Sequence, residues 1–225
     1  MERIILILSI IFILIIGLVK ILYEKRRIIK KHNFVFDFRN NFIDFTNNYF
    51  KGYDTFTKKS ESFDNELYVW LTKNVNKVQS ILGNSGIMDY VAPFQIYRIP
   101  RYEIIINTLP QFRNGSITEF DINSTDDCLL RYLGQLEKRI EKVDKELTNP
   151  VIWFTIGIQT VISIPLYFLN WFGLFSNRSI AIIKEGLFYK IISGIIALVG
   201  FLSGIVTIIV GKEQVIQFVK DFFSK

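Results

Sequence analysis

The chain has 225 residues, half of them hydrophobic, a formal net charge of +6, one cysteine and one histidine. A lone Cys128 excludes an intramolecular disulfide and a cysteine-based metal cluster, and with His32 as the only imidazole most zinc and nucleophile constellations fall away too. The mean hydropathy of +0.29 is high for a soluble protein and modest for a polytopic one, so the composition predicts part membrane, part aqueous domain.

Residues 4–22 form an apolar run broken only by Ser9, Gly17 and Lys20. The N-terminus offers only Glu2 and Arg3, and no small-residue cleavage site follows, so a secretory signal is disfavoured and a retained anchor over residues 1–22 is predicted. Lys25, Arg26, Arg27, Lys30 and Lys31 come next. A Lys/Arg excess marks the cytoplasmic flank of a span, so the N-terminus is placed outside and these five side chains against the inner leaflet. His32 lies within the same basic cluster and reads as an interface residue.

Residues 23–150 are then a cytosolic domain of nearly balanced charge. Nucleic acid would call for a basic stripe on that domain, and none is evident; the anionic partner implied is the lipid bilayer. Three helical stripes are legible there. Phe34, Phe38, Phe42, Phe45 and Tyr49 recur at helical spacing up to Gly52. Phe63, Leu67, Leu71, Val75, Val78 and Leu82 do so up to Gly83. Leu129, Leu133, Leu136, Ile140, Val143 and Leu147 alternate by four and three. A start for this third helix is read at Ser124-Thr125-Asp126-Asp127, with the hydroxyls as caps and the acids on the helix dipole. A break is expected at Asn149-Pro150.

Between the second and third stripes, residues 83–123 are punctuated by Gly83, Gly86, Pro93, Pro100, Pro110 and Gly115. The stretch is irregular but too apolar for disorder, and residues 102–106 read as a buried strand or a short helix. Loops on rigid scaffolds carry binding, so Arg98, Arg101 and Tyr102 are candidates for contacting an anionic ligand or the inner leaflet.

Residues 151–175 and 191–211 contain no charge, and each is long enough to cross a hydrocarbon core of roughly 30 Å. They predict a transmembrane hairpin over 151–211, with spans about 151–175 and 187–210, joined by a short polar loop outside. Pro165 is expected to kink the first of these spans. In the second, Ser193, Ala197, Gly200, Gly204, Thr207 and Gly211 put small residues on one face, for packing in the same chain or for a homo-oligomer. Residues 212–225 read as an amphipathic interfacial tail.

The fold class expected is mainly all-α: three transmembrane helices, with a helical cytosolic domain between the first and second spans that contains the irregular segment. No phosphate loop, nucleophile elbow, zinc-protease or dinucleotide motif occurs, so no enzyme, cofactor or metal is expected. The leading expectation is a membrane-anchored binding, scaffold or sensor protein of the inner (cytoplasmic) membrane that engages a cytosolic protein partner. The alternative is a small homo-oligomeric channel or membrane-perturbing effector.

Overall fold

The structure is a computed structural model that describes residues 2–55, 59–91, 98–187, 189–191, 194–196, 198–200, 202–204 and 206. The described chain is mostly helical. It divides into two compact units, one of residues 1–25 and 142–225, the other of residues 26–141.

The first helix, α1 (Glu2–Lys51), runs without interruption through the predicted anchor and the predicted Phe stripe. No proline or glycine pair interrupts the sequence between them, and the basic cluster is made of good helix formers, so nothing ends the helix at residue 22. It stops at Gly52, where the short antiparallel pair β1 (Tyr53–Asp54) and β2 (Lys59–Ser60) follows. Next comes α2 (Asn65–Leu82), started by Asp64, whose side chain accepts from Leu67 N–H at 2.9 Å, and ended by Gly83 at φ +53°. A left-handed residue at a helix end favours glycine.

The segment that read as irregular is a hairpin followed by a helix. β3 (Ile87–Val91) pairs antiparallel with β4 (Arg98–Glu103), and α3 (Ile104–Asn114) begins directly at the strand's end. Residues 102–106 thus straddle a strand-to-helix junction. α3 closes at Gly115, whose φ is +63°.

The fourth helix, α4 (Glu119–Leu147), starts earlier than Ser124. Thr118 and Asp121 form a reciprocal capping box: Asp121 N–H donates to Thr118 Oγ1 at 3.2 Å and Thr118 N–H donates to Asp121 Oδ2 at 3.3 Å. The residues read as caps lie inside the helix with other work. Thr125 is buried and donates to Thr108 Oγ1 at 3.1 Å, and Asp126 takes a two-pronged ion pair from Arg39, at 2.6 and 3.0 Å.

The core of the 26–141 unit is where the stripes meet. Val35, Phe38, Phe42, Phe45 and Tyr49 of α1 are buried, as are Leu71, Val75, Val78 and Leu82 of α2 and Leu129, Leu133 and Leu136 of α4. From α3, Ile104, Ile105, Leu109 and Phe112 join them. Phe45 sits in the aromatic cluster, its ring 4.9 Å from Phe112 and 5.4 Å from Phe63 by centroid, in edge-to-face geometry. Tyr49 lies in the same cluster, yet its buried hydroxyl has no hydrogen-bond partner among the described residues. A buried, unpaired hydroxyl costs free energy that a phenyl ring would not. Tyr49→Phe keeps the ring contacts and is expected to raise the unfolding free energy of this unit by about 1 kcal/mol, read from a shifted urea midpoint at constant slope.

In the other unit, Asn149 caps α5 (Pro150–Trp171) by accepting from Val151 N–H at 3.0 Å, with proline at the first helical position. The break expected at Asn149-Pro150 is present. α5 ends at Trp171, short of residue 175, because Gly173 turns the chain at φ +74°. The polar stretch that read as a loop is a helix, α6 (Asn177–Glu185), capped by Ser176, which accepts from Ser179 N–H at 3.1 Å. Among the described residues two helices, α1 over Ile7–Lys51 and α5, are long and apolar enough to cross a membrane. The stretch Tyr189–Gly204 passes that test only together with α6, from which it bends by 67°.

Candidate functional site

The three residues singled out for binding come together on the β3–β4 hairpin. Register pairs Met88 with Tyr102 and Tyr90 with Ile99, so two residues of β4, Pro100 and Arg101, stand opposite Asp89 alone. This is a β-bulge, the setting in which a strand proline is tolerated. Arg101 takes the bulge's left-handed position at φ +55°, a conformation that a non-glycine residue rarely adopts.

Asp89 holds the bulge. Its Oδ1 accepts from Arg101 N–H at 3.2 Å and its Oδ2 accepts from the Arg98 guanidinium. The Arg98 hydrogen bond, then the one from the Arg101 backbone, keeps the Asp89 carboxyl below its usual range. Arg98 is therefore engaged within the hairpin, whereas Arg101 presents its side chain at the exposed bend. Tyr102 faces inward: its ring lies 4.9 Å from that of Tyr90, and its hydroxyl accepts from Gln111 at 3.3 Å. Arg98 and Arg101 both keep exposed side chains, while Tyr102 is half-buried. Pro100 inside an otherwise strand-like run was the sequence signal for the bulge.

A cavity of about 350 Å³ lies beside this hairpin in the same unit, lined by residues including Asn84, Ser85, Asp127, Cys128, Arg131 and Gln135. Its polar lining distinguishes it from the aromatic core. Cys128 donates to Ser85 O at 3.0 Å, and burial pushes its thiol up to about 11. At neutral pH Cys128 is thus a protonated thiol and a poor nucleophile. Arg131 lies 3.8 Å from Asp127, one turn away on α4, in an exposed pair of little energetic weight. Among the described residues, no group of three His, Cys, Asp or Glu side chains is placed to hold a metal ion.

The basic cluster is split between roles. Lys25 pairs with Asp144, while Arg26, Arg27 and Lys30 are exposed and Lys31 is half-buried. His32 makes a 3.3 Å contact with Glu137 and stacks on Phe36.

Of the small-residue stripe, Ser193, Ala197, Thr207 and Gly211 lie outside the residues whose side chains are described, as does the tail at 212–225. A side chain on Gly200 would meet Phe154 Cζ at 3.4 Å, and one on Gly204 would meet Ile10 Cδ1 at 2.9 Å. Both glycines therefore face helices of their own chain. A closer approach went unread in the sequence. Gly17 of α1 is packed on the Trp153 backbone carbonyl, and Gly157 of α5 on that of Ile13. Compared with protein-family models, curated proteins and solved structures, the chain matches none.

Proposed function

We propose that this chain is a membrane-anchored binding protein of the inner (cytoplasmic) membrane, with residues 26–141 presented to a cytosolic protein partner. One observation carries the reading. A single helix, α1, has exposed apolar side chains at Leu8, Ile11, Phe12, Ile15 and Val19, and buried aromatic ones at Phe38, Phe42, Phe45 and Tyr49. The first set suits lipid and the second suits a protein core, so anchor and domain are built from one element.

The exposed basic side chains of Arg26, Arg27 and Lys30 support a cytoplasmic exit from the first span. In this topology α5 is the second span; the third span expected at about 187–210 lies partly, and the tail at 212–225 wholly, outside the described residues. Arg101 on its bulge and the adjoining cavity are the surfaces that would meet the partner. The inward-turned Gly200 and Gly204 weigh towards packing within one chain and away from the homo-oligomeric channel.

Two measurements test this. In a Cys128→Ala background, a membrane-impermeant thiol reagent added to intact cells should label Arg178→Cys and miss Ser116→Cys; the reverse pattern inverts the topology. Purified protein in liposomes should leave an entrapped dye inside. Dye release at protein-to-lipid ratios where the liposomes stay intact would favour the channel.

A further inference from the structure

Arg101 stands where glycine is the easier residue. At φ +55° it holds the left-handed position of the β3–β4 bulge. For a residue with a Cβ that conformation is disfavoured by contact with its own backbone. The surroundings impose it. Pro100, immediately before it, has a fixed φ, and Asp89 Oδ1 accepts the Arg101 N–H at 3.2 Å. Backbone strain of this kind persists where the structure around it leaves no alternative, and it gathers at binding sites.

Within its own unit the Arg101 side chain gives no compensating contact of charge. It is exposed, and among the described residues no carboxylate lies within ion-pair distance of it. Arg98, by contrast, is paired with Asp89. An apolar neighbour completes the surface: Val91, 43% exposed, stands opposite Arg98 in the register, and cross-strand partners share a face. Asp89 and Glu103 lie on the same two strands as the two arginines, so the charges of the hairpin cancel. A neutral hairpin does not draw a diffuse anionic surface such as a membrane. It offers instead one fixed guanidinium, whose planar fork matches a single carboxylate through two parallel hydrogen bonds.

We propose that Arg101 is the recognition residue of the hairpin. Its guanidinium pairs with an Asp or Glu carboxylate on an extended segment of the cytosolic partner that mixes acidic and apolar residues, with Val91 as the apolar contact beside it. This rests on the reading of residues 26–141 as a partner-binding domain. The rigid bulge positions the arginine before the partner arrives, so less ordering is left to the encounter.

The full chain in mild detergent at low salt can be titrated with two fluorescein-labelled hexapeptides, one alternating Glu with Val and the other Gln with Val, and followed by anisotropy. Wild type should bind the Glu peptide about 10-fold more tightly. Arg101→Gly should abolish that preference while the urea midpoint of the 26–141 unit stays at or above wild type, because glycine accepts the left-handed position. Arg101→Ala should abolish it too, with a midpoint below that of the glycine variant. A midpoint that falls below wild type in Arg101→Gly would make the side chain a brace of the hairpin and overturn the proposal. So would a Glu peptide bound equally by wild type and the glycine variant, or a wild type with no preference between the peptides. Glycerol 3-phosphate that displaces the Glu peptide at comparable concentration would give the arginine to lipid headgroups and overturn the protein partner. All of these are read on the purified chain, whereas a reversed labelling pattern in cells would overturn the topology beneath them and leave the affinities as they are.

Discussion

Phe45→Ala is expected to destabilise the unit of residues 26–141 by about 3–5 kcal/mol. Phe45 is fully buried, and its ring centre lies within 6 Å of those of Phe63, Tyr68 and Phe112. Truncation removes both the transfer free energy of the ring and its edge-to-face contacts, and leaves a hole that Phe42, Tyr49 and Phe112 cannot close without leaving their own contacts. A domain of this size is stable by only about 5–15 kcal/mol, so the loss is a large share of the total. Phe50, on the same helix, is the control. It is 43% exposed and touches only Tyr49 and Tyr53 among the described rings. Phe50→Ala should cost under about 1 kcal/mol. Thermal unfolding followed by near-ultraviolet circular dichroism separates the two. Equal midpoints would mean that the aromatic cluster is not the core of this unit.

The elements that the sequence revealed are those held by local rules. Most of the stripe residues on α1, α2 and α4 are buried as their periodicity required, with Phe34, Phe63, Leu67, Ile140 and Leu147 half-buried, and Gly83 and Pro150 stop and start helices for reasons confined to a few residues. The cap of α4 lies at Thr118, six residues before the Ser124 expected. Ser124-Thr125-Asp126-Asp127 is the denser cluster, but Thr118 and Asp121 alone form the reciprocal pair, and the pairing decides. The hairpin was hidden by its own bulge. One extra residue shifts the alternation of β4, so no clean period of two survives to be read. The candidate site suffered for the same reason. Arg98 and Arg101 are near neighbours in sequence, yet Asp89, nine and twelve residues earlier, takes up Arg98 while fixing the backbone of Arg101. That partnership depends on register, which residue spacing alone did not supply.

Gly157→Ala is expected to pull α5 away from α1, and Gly17→Ala should do the same from the other side. A Cβ built on either glycine would lie well inside 3.0 Å of a backbone carbonyl oxygen, that of Trp153 for Gly17 and of Ile13 for Gly157. Neither obstruction is the end of a flexible side chain, so no rotamer change relieves it, and the helices must separate to make room. Overpacking of this kind costs about 1–3 kcal/mol. The repeated small residues of the last apolar stretch drew notice because they are periodic, but the tightest crossing uses a single glycine from each helix, 140 residues apart by subtraction of their numbers. Gly204→Ala meets only the Cδ1 tip of Ile10, and Gly200→Ala meets Phe154 Cζ at ordinary contact distance, so both should be milder. Resistance of the detergent-solubilised chain to sodium dodecyl sulfate should therefore fall furthest for Gly17→Ala and Gly157→Ala, less for Gly204→Ala and least for Gly200→Ala. The core of the 26–141 unit contains neither residue, and its near-ultraviolet melting should stay within about 0.5 kcal/mol of wild type in all four variants. A Gly200→Ala variant as sensitive as Gly157→Ala would move the critical contact to the small-residue stripe and reopen the oligomer seam. The graded order instead makes the α1–α5 crossing the contact that holds the apolar unit together, and with it the face on which Lys20 reaches Thr160.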